Sequence, residues 1–155
     1  MDKFGIVFAI IKGVMKIYLA TPFLQEHRSD MDRARTILRS YGHDVYVPVE
    51  NFVPNAWDYP NNEWGLMVFN SDIKAIDDCE VLVLLSYGRL GTAGCNWEAG
   101  YAFARGKKVI VVEMSDEPMS LMVANGRYAT VKGLDKLCCY DWKTMPKTRT
   151  LTEQK

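Results

Sequence analysis

Glu80-Val81-Leu82-Val83-Leu84-Leu85-Ser86 is the strongest strand signal in a chain of 155 residues, and its reading decides the fold. A half-exposed strand alternates apolar and polar residues. A continuous apolar run suits a parallel strand covered on both faces. Working outward, residues 63–78 carry Leu66, Phe69, Ile73 and Ile76 at helical spacing. A glycine-rich loop follows the run, from Tyr87 to Gly94, and leads into a helix from Cys95 to Arg105 stopped by Gly106. Lys16–Ala20, Val45–Val49, Lys108–Met114 and residues 127–132 read as further strands. A helix capped by Ser29 and Asp30 reaches about Tyr41. A short helical turn spans Met119–Ala124, and a last helix spans 133–140. This alternation predicts an α/β fold: a flavodoxin-like or Rossmann-like three-layer sandwich with a parallel five-stranded sheet. The simplest right-handed order is 2-1-3-4-5, with the ligand beyond the carboxyl ends of the strands.

The length and composition fit one domain. Apolar residues make up 48% and charged residues 25%, which excludes disorder and a disulfide mini-scaffold. Nineteen basic residues balance nineteen acidic ones, so nothing attracts nucleic acid or an anionic membrane by bulk charge. The expected partner is a small molecule. The cysteines, Cys79, Cys95, Cys138 and Cys139, form no CxxC pair. Neither His27 nor His43 stands at metal-ligand spacing from them, so no metal is expected. Reduced thiols point to a cytoplasmic protein. The apolar stretch Phe4–Ile11 is shorter than the roughly 20 residues a bilayer span needs. Residues 1–14 read as an extra arm, an added edge strand or an upstream start ahead of Met15. Residues 15–143 read as the domain, and 144–155 as a polar tail expected to fray.

The chemistry concentrates in the stretch from Ser86 to Tyr101, which joins the central strand to a helix. Gly88, Gly91 and Gly94 permit tight turns and close approach of a ligand to backbone N–H groups. Glu98 is expected in the first turn of the helix. There the helix dipole favours the ionised carboxylate, which suits a nucleophile better than a general acid. The plainer reading is a glutamate that merely balances the dipole. The loop matches neither a dinucleotide-binding GxGxxG nor a phosphate-binding loop ending in GK[ST].

Over residues 15–142 the chain resembles the nucleoside 2-deoxyribosyltransferase superfamily. The resemblance rests on Lys16–Phe23, Asn70–Asp72, Gly94–Ala102 and Met119–Met122. It implies that Glu98 attacks the sugar C1′, displaces the base and forms a covalent deoxyribosyl ester, which a second base or water resolves. A carboxylate on one face of an oxocarbenium-like transition state is sound chemistry for that step. By the same resemblance Tyr18 would hydrogen-bond and orient Glu98, and Asp72 would handle the base and supply a proton. Thr21, Pro22 and Phe23 fall in the first loop. Ser120 and Met122 would complete the site of a neighbouring subunit, which makes the protein a homo-oligomer, a dimer or larger. No metal or organic cofactor is implied. The substrates would be a deoxynucleoside or deoxynucleotide and a free base, with no nucleic acid and no membrane involved.

Two positions depart from the transferase pattern. Thr92 stands where transferases of free nucleosides usually carry aspartate, and Ser120 where they usually carry asparagine. The 2′-deoxynucleoside 5′-monophosphate N-hydrolases, a related branch, use hydroxyl residues at both places to bind phosphate. A hydroxyl in place of a carboxylate removes a repulsive charge and adds a donor. Gly94 N–H and the helix N-terminus would complete an anion site, with Arg89 adding a charge-assisted contact. Transfer and hydrolysis therefore both stand as readings. Trp57, Tyr59 and Trp64 read either as an aromatic lid over the base or as packing for their irregular segment. A non-catalytic nucleotide-binding module is the alternative of another class, and a pure interaction domain a third.

Overall fold

A computed structural model describes residues 13–90 and 93–148. Most of the 1–14 arm, the end of the tail, Gly91 and Thr92 lie outside the described residues. Strands β1 (Lys16–Ala20), β2 (Asp44–Tyr46), β3 (Val81–Ser86), β4 (Lys108–Glu113) and β5 (Ala129–Lys132) form one sheet in the order β2-β1-β3-β4-β5. Every neighbouring pair is parallel. The helices are α1 (Arg28–Ser40), α2 (Asn61–Asp78), α3 (Ala93–Ala104), α4 (Leu121–Gly126) and α5 (Gly133–Leu137). The predicted fold class and strand order are those observed.

The period of two along each strand sorts the core into two layers. Ile17, Leu19, Val81, Val83, Leu85, Ile110 and Val112 face one way and pack on α1 and α5. Tyr18, Ala20, Leu82, Leu84, Val109 and Val111 face the other way and pack on α2 and α3. Val81 to Leu85 are each no more than 1% exposed, which is why that segment has no polar alternation. Helix α1 buries Met31, Ala34, Ile37 and Leu38 on a single stripe. It ends where Gly42 adopts φ +85°, a left-handed conformation that favours glycine.

The structure corrects several local expectations. Helix α1 starts at Arg28 behind a 3-10 turn at Gln25–His27, so Ser29 and Asp30 lie inside it and cap nothing. The Asp30 carboxylate instead accepts a hydrogen bond from the Tyr87 hydroxyl at 2.7 Å. Strand β2 ends at Tyr46, and Pro48, which has no N–H to donate to a ladder, opens a 3-10 turn at Pro48–Glu50. Strand β5 and helix α5 are shorter than read, and α4 begins two residues later, at Leu121. The described part of the tail, residues 144–148, packs on the domain. Met145 is buried. Thr148 donates its N–H to Tyr128 O and accepts Thr130 N–H at 2.8 Å on its hydroxyl. These contacts lie along the outer side of β5, where an unpaired strand edge would otherwise be exposed. Among the described residues no helix is long and apolar enough to cross a membrane.

Candidate active site

Three elements bring acidic and phenolic groups to one place on the α2–α3 side of the sheet. The alternation of β1 sends Tyr18, wholly buried, to that side. Helix α2 contributes Asp72, one turn before Ile76, whose complete burial pins that stripe against the sheet. Helix α3 contributes Glu98 from the stripe that buries Cys95, Ala99 and Ala102. The alanines let the helix lie close to the sheet, and the carboxyl is drawn in with them. A cavity of about 320 Å³ between the two helices is lined by Phe69, Asp72, Ile73, Ile76, Gly94, Trp97 and Glu98.

The hydrogen bonding is incomplete on one side. Tyr46 stacks on Tyr18 with ring centroids 5.4 Å apart and donates its hydroxyl to Asp72 Oδ1 at 2.8 Å. The Tyr18 hydroxyl and Glu98 Oε2 are shut off from solvent, and neither makes a hydrogen bond of good geometry among the described residues. They stand near enough to act on each other through charge and through a loose hydrogen-bonding contact that falls short of good geometry. Burial pushes the Glu98 carboxyl up to about 7; the nearby Asp72 adds to the rise, and Tyr18 opposes it. Burial also raises Asp72, with the Tyr46 hydrogen bond acting in the opposite sense. Tyr18 is driven far above the ordinary phenol range, first by burial and then by the charges of Glu98 and Asp72. It therefore keeps its proton throughout.

These findings overturn the first-turn argument for Glu98. Helix α3 begins at Ala93, so Glu98 lies in its second turn, beyond the strongest part of the dipole. Desolvation, not the helix end, sets its proton affinity. Two half-buried carboxyls with raised proton affinity beside a protonated phenol are what catalytic centres collect.

The other predicted site residues are spread more widely in the single chain. Gly94 lines the Glu98 cavity. Pro22 and Phe23 line a separate small groove with Leu24, Arg28 and Val49, and Phe23 is 83% exposed. Thr21 is half-buried at the end of β1. Ser120 and Met122 line a third groove of about 410 Å³ between α3 and α4, together with Ala99 and Phe103. The Ser120 hydroxyl accepts Val123 N–H at 3.3 Å as the cap of α4. Arg89 and Trp57 are exposed, and Thr92 lies outside the described residues.

Sequence reasoning missed Tyr46, and it read Phe69 and Ile73 as plain core residues. The register pairs Tyr18 with Tyr46, so the parity of two adjacent parallel strands contained the signal. Trp97 packs on Phe69 at 5.6 Å and stacks on Tyr101 at 5.7 Å, which makes an aromatic wall beside Glu98.

The loop after β3 depends on one glycine. Gly88 has φ +109°, and a Cβ there would lie 2.4 Å from Glu117 Cβ in the loop after β4. Gly88→Ala is expected to destabilise the protein by roughly 2–3 kcal/mol through strain and displaced backbone. Urea unfolding measures this, and a change below about 0.5 kcal/mol would show that the two loops part freely.

Known proteins place this geometry in context. A family model described as nucleoside 2-deoxyribosyltransferase matches residues 17–137. No curated protein sequence matches the chain. A 2-deoxyribosyltransferase from the psychrotolerant bacterium Bacillus psychrosaccharolyticus superposes with a TM-score of 0.79 at 29% identity, over 87% of this chain and 98% of that one. A conserved protein from Enterococcus faecalis V583 superposes at 0.64 with 22% identity, over 81% and 95% of the two chains. A CMP N-glycosidase from Clostridium botulinum superposes at 0.53 with 15% identity, over 79% and 95%. The last two likenesses are of fold alone.

Proposed function

The chain belongs to the nucleoside 2-deoxyribosyltransferase family, whose enzymes act on N-glycosyl bonds, and from this premise we propose that it transfers deoxyribose between bases through a covalent Glu98 intermediate. The observation that carries the reading is the convergence of Glu98, Asp72 and Tyr18 beside one cavity large enough to hold a base. In its ionised form Glu98 attacks C1′ as the bond to the base breaks. Asp72, whose proton affinity burial raises, protonates the departing base. Tyr18 stays protonated and offers its hydroxyl to whichever oxygen of Glu98 is free. A second base then takes the sugar by the reverse of these steps. Trp97 and Phe69 supply apolar faces beside the base.

The reading includes an oligomer. Leu121 and Met122 are 81% and 84% exposed beside the groove that Ser120 also lines. Bare apolar side chains of this size rimming a groove are what a neighbouring subunit covers. Ser120 and Met122 would then act in the neighbour's site.

Hydrolysis of a 2′-deoxynucleoside 5′-monophosphate is the second reading, favoured by the hydroxyl residues at positions 92 and 120. One chromatographic time course tests both. Deoxynucleosides and their 5′-monophosphates are each incubated with and without a second free base. Exchange of base on the unphosphorylated substrates is the expected result. Base release from monophosphates alone, indifferent to added base, would replace transfer with hydrolysis. Ligand binding that survives Glu98→Ala, with no turnover in the wild type, would leave a non-catalytic binding module.

A further inference from the structure

We propose that Tyr46 is a positioning residue for this reaction: its hydroxyl holds Oδ1 of Asp72, so that Oδ2 is the oxygen that delivers the proton to the departing base. The inference rests on the reading of the site given above. Tyr46 sits on the edge strand β2, directly beside Tyr18 in the register. Its ring lies on the Tyr18 ring at an interplanar angle of 23°, which fixes where its hydroxyl points. The hydroxyl reaches across to α2 and donates to Asp72 Oδ1 at 2.8 Å. A carboxyl without such an anchor can present either oxygen to a ligand. Once Oδ1 is an acceptor, the proton of the neutral acid belongs on Oδ2, which no described residue hydrogen-bonds.

The step balances on these atoms. As the C1′–N bond breaks, its electron pair passes into the base, which takes the Oδ2 proton. A Glu98 oxygen forms the new bond to C1′, and Asp72 is left as a carboxylate. The Tyr46 hydroxyl keeps its own proton, and its hydrogen bond becomes charge-assisted as Asp72 turns anionic. An interaction that strengthens toward the transition state raises kcat rather than tightening substrate binding. Two influences thus act on Asp72 in opposite senses. Burial raises its proton affinity, and Tyr46 makes it the stronger acid.

The test compares wild type with Tyr46→Phe, which keeps the ring stack and removes only the hydroxyl. Two substrates are used, in the nucleoside or 5′-monophosphate series, whichever the wild type cleaves. One is 2′-deoxyguanosine, whose base needs a proton as it leaves. The other is 7-methyl-2′-deoxyguanosine, whose cationic base leaves neutral without one; its spontaneous loss is subtracted. Tyr46→Phe is expected to lose roughly ten- to a hundredfold in kcat on the first substrate, with KM within about twofold. On the second it should match the wild type, which also shows that the variant is folded. Equal losses on both substrates would overturn the inference, since packing alone would then explain the effect. So would unchanged turnover of 2′-deoxyguanosine. A wild type that cleaves neither substrate in either series would overturn the reading of the site, and this inference with it.

Discussion

Glu98→Gln should lower kcat roughly ten-thousandfold, about 5.5 kcal/mol of barrier at about 1.36 kcal/mol per decade. The amide cannot form the glycosyl ester, and it carries no charge to stabilise an oxocarbenium-like transition state. The same residue sets the acid limb of the pH profile. A nucleophile must be ionised, and the Glu98 carboxyl holds its proton up to about 7. Wild-type kcat/KM is therefore expected to fall as pH drops through about 7, about tenfold per unit below it. Stability moves the opposite way. Between 4.5, the ordinary glutamate value, and about 7 the folded protein holds a proton on Glu98 that the unfolded chain has released. Folding is then favoured at the low end of that window and loses this contribution as pH rises through it. Glu98→Gln removes the slope, so its Tm relative to wild type should rise from pH 4.5 to pH 8. Single-turnover kinetics and calorimetry on one pair of proteins measure both effects. A variant that keeps a tenth of wild-type turnover would dismiss Glu98 as nucleophile, whatever the thermal data show.

The second large effect is on folding. Leu84→Ala should destabilise the protein by about 3–4 kcal/mol, or about 10 °C in Tm. Leu84 is 1% exposed, in the strand that both helical layers cover, and it packs in the cluster that holds Tyr18, Ile76 and Ala99. Truncation removes its apolar contacts and leaves a hole that a five-stranded parallel sheet cannot close. Leu90, fully exposed in the loop beyond the same strand, is the control: Leu90→Ala should change stability by less than about 0.5 kcal/mol. Denaturant titrations at one protein concentration keep any oligomer from confusing the comparison. A loss below about 1 kcal/mol for Leu84→Ala would mean that β3 is not sandwiched in solution.

The fold was legible because its signals are local. The apolar run at Val81–Leu85 with no polar alternation demands cover on both faces, and the helical stripes on either side of it provide that cover. The right-handed crossover rule then leaves few strand orders, and the observed β2-β1-β3-β4-β5 is the simplest. Tyr18, Asp72 and Glu98 were legible as candidates through resemblance, at separations that no periodicity would single out. Local chemistry also misled. Ser29 and Asp30 have the composition of a cap, yet a 3-10 turn had already started the helix ahead of them. Met145 and Thr148 look like tail residues because the strand that holds them lies far behind them in the chain.

The amino-acid sequence by itself determined the layers, the sheet and the two faces on which side chains alternate, because burial and period act over a few residues at a time. Only the tertiary structure decided the protonation of the site. Whether Glu98 is charged depends on how much water reaches it and on Asp72, which arrives from another helix. Which oxygen of Asp72 is free depends on a hydroxyl from an edge strand. Desolvation and hydrogen-bond geometry are properties of the assembled neighbours, and no spacing within a single segment encodes them.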